Sequence, residues 1–158
     1  MAWAFAIFLC HDAPFLDAIA AESLARMKDW RPQELANTAW AFAKLGELNA
    51  PLFDSIASQS RTHLPAFTAQ EIVNLSWAYA QIMCLNVPFM AALSAKVIPI
   101  SAHWTPRDLA NTAWAWARLA CDDDPLMAAI ASAAMPTIHQ MNQQDLSNPS
   151  WAFARCEI

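Results

Sequence analysis

An all-α fold is what this sequence predicts: a right-handed α-solenoid of helix pairs with a 37-residue period. Three observations lead there. Trp3, Trp40, Trp77, Trp114 and Trp151 recur at a constant step of 37 residues, and a constant step of that size marks stacked copies of one supersecondary unit. Pro14, Pro51, Pro88 and Pro125 keep the same step. Proline is tolerated in the first turn of a helix and not in its interior, so these four mark helix starts. Alanine is abundant, and the apolar–polar alternation of a half-buried strand is absent.

The register treats residues 1–158 as a single helical-repeat domain, with a partial repeat 1–31, repeats 32–68, 69–105 and 106–142, and a partial repeat 143–158. Both ends fall inside a unit and lack the polar capping repeat that solenoids use for solubility. The expectation is therefore a piece of a longer solenoid. Each unit holds a leading helix, A, and a trailing helix, B.

The A helices are expected over about 33–45, 70–82, 107–119 and 144–155. Their starts follow from local chemistry. Thr68 with Glu71 fits a capping box, in which side chain and backbone donors satisfy each other. Thr105 is a good N-cap, and Pro32 and Pro106 suit a first turn. Asn142 and Asp145 open the last unit, and Glu34, Glu71, Asp108 and Asp145 all face the positive end of a helix dipole. Gly46, the one glycine of the chain, suits a left-handed residue closing the helix of the second unit. Leu9, Met83 and Ala120 stand there in the other units, so that stop is expected to be private to one repeat.

The B helices open behind Asp12, Asn49, Asn86 and Asp123, each two residues before its proline, and end near Met27, Leu64, Ile98 and Met135. Apolar residues recur at helical spacing inside them, as in Phe15 and Ile19 or Leu126 and Ile130. Trp30, Phe67, Trp104 and Met141 follow in the linkers and read as plugs between units.

Bulk properties narrow the function. A hydrophobic content of 57% with 15% charge excludes a disordered chain, and no apolar run is long enough for a membrane span. The net charge of −5 supplies no overall field for nucleic acid or acidic lipid. Cys10, Cys84 and Cys121 share one register; equivalent residues of successive helical repeats lie roughly 10 Å apart, too far for a disulfide. They and Cys156 read as small buried side chains of a reducing compartment, and no spacing suggests zinc.

A helical wheel at roughly 100° per residue separates two sides of helix A. Leu35, Ala39, Phe42 and Gly46 cluster toward helix B, while Gln33, Asn37, Trp40 and Lys44 share the opposite side. Down the repeats this side makes columns: Gln33, Gln70, Arg107, Gln144; Asn37, Asn74, Asn111, Asn148; and Ile7, Lys44, Gln81, Arg118, Arg155. Amides, indoles and cations laddered along one surface suit an extended polymer, with aromatics on bases, amides on base edges or backbone, and cations on phosphates. Trp40, Trp77, Trp114 and Trp151 are the candidate stacking platforms. Plainer readings fit the same columns: asparagines tying neighbouring helices, tryptophans filling the seam, cations on a solvated face.

Nothing points to an enzyme or a cofactor. His11, His63, His103 and His139 are scattered in register, and Asp122-Asp123-Asp124 sits at a helix start, where a cap explains it better than a metal. Phosphate loops and nucleophile motifs are absent.

Leu35-Ala36-Asn37-Thr38-Ala39-Trp40-Ala41-Phe42-Ala43-Lys44-Leu45-Gly46, echoed at Leu109–Leu119 and more loosely at 72–80 and 146–154, resembles the octatricopeptide repeat family. It is also similar to the helical repeats of FAST-kinase-domain proteins and of the RNA-editing substrate-binding complex. The resemblance covers essentially the whole chain. It implies an RNA-binding helical-repeat protein of a mitochondrion or chloroplast, acting in transcript stability, processing, editing or translation, with single-stranded RNA and other proteins of an RNA-processing complex as partners and no membrane. The RNA-facing role would fall on the A helices. The chain departs from these relatives in a step one residue shorter and in its acidic charge. Without the nuclease-like RAP domain that accompanies some of them, no cleavage activity carries over. The competing reading is a scaffold similar to armadillo repeats, whose inner asparagines hold an extended peptide; an acidic surface with tryptophans suits a basic one.

Overall fold

The computed structural model describes residues 12–155. The first tryptophan copy (Ala2–Ala6), Ile7, Leu9, Cys10, His11 and Cys156 lie outside the described residues. Within them the fold is all-α, with eight helices and no strand. The A helices are α2 (Pro32–Leu45), α4 (Ala69–Gln81), α6 (Pro106–Arg118) and α8 (Gln143–Arg155). The B helices are α1 (Ala13–Arg26), α3 (Ala50–His63), α5 (Val87–Val97) and α7 (Asp124–Ala134). A short 3-10 turn follows every B helix.

The helix starts follow the expected chemistry. Asp12, Asn49, Asn86 and Asp123 each accept, through a side-chain oxygen, the amide three residues on, at 3.0–3.1 Å. The A helices use reciprocal caps. Thr68 and Glu71 satisfy each other's amides, as do Thr105 and Asp108, and Asn142 and Asp145. In α2 the amide of Arg31 donates to Glu34 at 2.8 Å. Each such cap is worth about 0.5–2 kcal/mol.

Two layers result. α2 packs along α4, α4 along α6 and α6 along α8, with the B helices in a second layer. The core lies between the layers. Leu35, Ala39 and Phe42 of α2 meet Leu52, Phe53 and Ile56 of α3, and all are essentially inaccessible. Full burial of such side chains contributes about 1.5–3 kcal/mol each. Phe42, Tyr79 and Trp116 stand in equivalent core positions of α2, α4 and α6. The Tyr79 hydroxyl donates to the Phe53 carbonyl, whereas the buried Trp116 indole N–H has no partner among the described residues. Buried alanines at 36, 39, 41 and 43 let α2 lie close to its neighbours. Of the linker plugs, Phe67 and Trp104 are buried and Trp30 and Met141 half-buried.

Two expectations need correction. Gly46 does not join the core side of helix A; it is exposed and lies past the end of α2 with φ 75°. Nor is its helix stop private. Met83 and Ala120, at φ 56° and 50°, adopt the same left-handed conformation after α4 and α6. All three positions make the paired bonds of a Schellman motif. Glu47 donates to Phe42 and Gly46 to Ala43; Cys84 to Tyr79 and Met83 to Ala80; Cys121 to Trp116 and Ala120 to Ala117. A side chain in this conformation costs about 1–2 kcal/mol.

Candidate nucleic-acid interface

The A helices carry one polar–aromatic face away from the core, and the columns singled out in the sequence fall on it. Asn37, Asn74, Asn111 and Asn148 are half-buried, as are Trp40, Trp77 and Trp114, while Trp151 is exposed. Gln33, Gln70, Arg107 and Gln144 are exposed in the first turns. Lys44, Gln81 and Arg155 are exposed in the last turns, where Arg118 is half-buried.

The tryptophans share their surface between seam and face. Trp40, Trp77 and Trp114 pack against the core cluster. The rings of Trp40 and Trp77 lie 6.3 Å apart, tilted by 33°. Further along, the guanidinium of Arg118 sits 5.4 Å from the Trp114 ring and that of Arg155 sits 5.6 Å from the Trp151 ring. Cation–π contacts of this kind contribute about 0.5–1 kcal/mol at exposed sites.

The two arginines also have a structural duty that the sequence did not reveal. Arg118 Nε donates to the Ala80 carbonyl at 3.0 Å, and Arg155 Nε donates to the Ala117 carbonyl at 2.7 Å. Each arginine thus reaches back to the preceding A helix and satisfies a carbonyl of its last turn, the one that also accepts the amide of the left-handed residue. The four-residue spacing of Trp114 and Arg118, and of Trp151 and Arg155, signals the ring contacts, but not the carbonyl partners, which lie on another helix. Each guanidinium keeps its terminal nitrogens for a ligand.

The asparagines do not form a continuous chain of ties. Asn148 Nδ2 approaches Asn111 Oδ1 at 3.5 Å, the limit of a hydrogen bond, while the side chains of Asn37 and Asn74 make none among the described residues. A half-buried amide without a partner retains donors and an acceptor for a ligand.

Between α4, α6 and α8 the face opens into a groove of about 500 Å³. Gln70, Asn74 and Trp77 line it from α4, Arg107 and Asn111 from α6, and Gln144 from α8. Asp108 also borders it, but its carboxylate is held by the Thr105 hydroxyl at 2.6 Å and by the Thr105 amide. Arg107 has no such partner among the described residues. The groove therefore offers one uncommitted cation, four amides and an aromatic edge. That set matches the phosphate, the base edge and the base face of a nucleotide. Gln33, Asn37, Trp40, Lys44, Gln81, Asn148, Trp114, Arg118, Trp151 and Arg155 lie outside this groove on the rest of the face.

No group of three His, Cys, Asp or Glu side chains suited to a metal occurs among the described residues. Asp123 is the cap of α7. The thiols of Cys84 and Cys121 are half-buried rather than fully buried, and burial raises both, reinforced by Asp54 for the first and by Asp123 and Asp122 for the second. Raised thiols are poor nucleophiles near neutral pH. No described helix is long and apolar enough to cross a membrane.

Comparison with known proteins bears on the face. The family described as RNA-editing substrate-binding complex 6 protein matches residues 4–124, well over half of the chain. Comparison with individually curated proteins gives no match. The matched span contains α1 to α6 and the start of α7, including Gln70, Asn74, Trp77, Arg107 and Asn111 of the groove. On this match, the chain belongs to the RNA-editing substrate-binding complex 6 protein family.

Proposed function

We propose that the chain binds single-stranded RNA along the outer face of its A helices, as a non-catalytic member of an organellar RNA-editing assembly. The observation that carries the proposal is the groove between α4, α6 and α8, where Arg107, Asn74, Asn111 and Trp77 converge without satisfying one another. RNA held there would run across successive A helices, with phosphates on Arg107, Lys44 and the free nitrogens of Arg118 and Arg155. The asparagines would meet bases or backbone, with Gln33, Gln70, Gln81 and Gln144 flanking them. A right-handed superhelix of 37-residue units and kinship with octatricopeptide repeats belong to the same reading. The RNA-editing relation supports a mitochondrial setting and lends nothing to a chloroplast one. Other proteins of the assembly complete the set of partners.

The experiment is the salt dependence of single-stranded RNA binding. Arg118 and Arg155 also hold helix ends, so their removal mixes stability with binding. Lys44 and Arg107 are exposed and make no side-chain hydrogen bond among the described residues, and are the cleaner targets. Each replacement by glutamine lowers the slope of log affinity against log salt by about 0.7, since one fewer counterion is released. Lys28, in the 3-10 turn after α1, is the control. An unchanged slope in the folded Lys44→Gln/Arg107→Gln protein would remove these cations from any RNA site.

A further inference from the structure

The connections from each A helix to the following B helix run side by side, and exposure alternates along them. Residues 46–50, 83–87 and 120–124 each read exposed, half-buried, exposed, half-buried, exposed. The inward positions have evident duties. Asn49, Asn86 and Asp123 cap the B helices, and Cys84 and Cys121 pack against the core. The outward positions present a pattern of their own: Gly46, Leu48 and Ala50 in one repeat, Met83, Leu85 and Val87 in the next, then Ala120, Asp122 and Asp124.

Four of these outward side chains are large, apolar and about half or more in water: Leu48 at 56%, Met83 at 57%, Leu85 at 47% and Val87 at 59%. Leu48 and Leu85 hold equivalent positions on adjacent repeats, which lie roughly 10 Å apart. Met83 also holds a left-handed conformation that a glycine would adopt without strain. One repeat further, the positions of Leu85 and Val87 are taken by Asp122 and Asp124. Equivalent backbone thus displays an apolar half and an acidic half on one continuous edge. Grouped exposed apolar side chains of this kind mark interaction sites more often than scattered ones do.

We infer that this edge docks a protein segment carrying apolar side chains beside basic ones. Its apolar side chains seat on Met83, Leu85, Val87 and Leu48, and its lysines or arginines meet Asp122 and Asp124. Charge selects this occupant over the others. Asp122 and Asp124 repel nucleic acid and acidic lipid. A second copy of this chain, at net charge −5, would face the acidic half with a surface of the same sign. None of the outward residues lines the groove between α4, α6 and α8, so this surface is independent of the RNA reading.

The test uses three synthetic peptides with the whole chain: one of leucine and lysine, one with glutamate for the lysines, one with serine for the leucines. Fluorescence anisotropy should show binding of the leucine–lysine peptide alone. Leu85→Ser should weaken it about tenfold. Asp122→Asn with Asp124→Asn should weaken it and flatten its salt dependence. Met83→Gly should weaken it too, while raising the melting temperature. Leu85→Ser should leave single-stranded RNA affinity as it was, so a failure here is distinct from a failure of the RNA site. Four results would overturn the inference: no binding by the parent, equal binding of all three peptides, unchanged binding by Leu85→Ser, or a concentration-dependent dimer abolished by Leu85→Ser.

Discussion

Arg118 donates its Nε–H to the carbonyl of Ala80, thirty-eight residues earlier, while its guanidinium lies over Trp114 of its own helix. Arg155 repeats the arrangement on Ala117 and Trp151. One side chain thus joins the last turn of an A helix to the same turn of the next. Arg118→Gln should cost about 1–2 kcal/mol, from the lost charged hydrogen bond and the lost ring contact. Lysine should restore little, since it lacks the planar fork that donates sideways while stacking. Urea melts of Arg118→Gln and Arg118→Lys check both; a loss below a few tenths would deny the bond a role.

The left-handed helix stops make a second prediction. Met83→Gly and Ala120→Gly each remove a backbone penalty and should stabilise the fold by about 0.5–1 kcal/mol. Gly46→Ala should destabilise it by about 1 kcal/mol through the backbone alone, because a Cβ there meets nothing within 4 Å. Calorimetry of the three variants should give two signs, and a common sign would contradict the shared conformation.

Pro149 lies inside α8, where equivalent positions of α2 and α6 carry Thr38 and Thr112. Its missing N–H leaves the carbonyl of Asp145 without the usual helical donor. Pro149→Thr should therefore stabilise the last helix by about 1–3 kcal/mol. Hydrogen exchange in α8 reads this directly: protection should rise there and hardly change in α2.

Burial pushes the Tyr79 phenol far above its ordinary value, with the charges of Cys84 and Asp54 adding to the shift. A folded-state value above the unfolded one means that the native protein holds its proton longer. Stability from this group is full below about pH 10 and falls as pH rises beyond it. Tyr79→Phe should lose about 1 kcal/mol at neutral pH, with its bond to Phe53. It should also show a shallower alkaline decline than the parent, and parallel declines would contradict the assignment.

Much of the fold was legible because helix ends are local events. A cap needs one side chain at one place, so Asp12, Asn49, Asn86 and Asp123 marked the B helices, and Thr68 and Thr105 marked α4 and α6. The A-helix face was legible for the same reason: Asn37, Trp40 and Lys44 share a side by helical geometry alone. What could not be read is tertiary. Glycine signals a left-handed stop, but Met83 and Ala120 adopt one with no such signal in their own side chains. The carbonyl partners of Arg118 and Arg155 belong to another helix. The tryptophans resisted a single reading because Trp40, Trp77 and Trp114 divide their rings between the seam and the open face, whereas Trp151 is exposed.

The central claim is that the amides of the groove contact single-stranded RNA. Its most direct measurement is the affinity of the Asn74→Ala/Asn111→Ala chain for a single-stranded RNA, beside the parent and at several salt concentrations. Both asparagines are half-buried, the Asn74 side chain makes no hydrogen bond among the described residues and Asn111 only the 3.5 Å approach of Asn148, so the double variant should remain folded. The predicted result is a fall in affinity of about tenfold or more with the salt slope preserved, because contacts to bases are lost and no phosphate contact is. Equal affinity of variant and parent for the same RNA would contradict it.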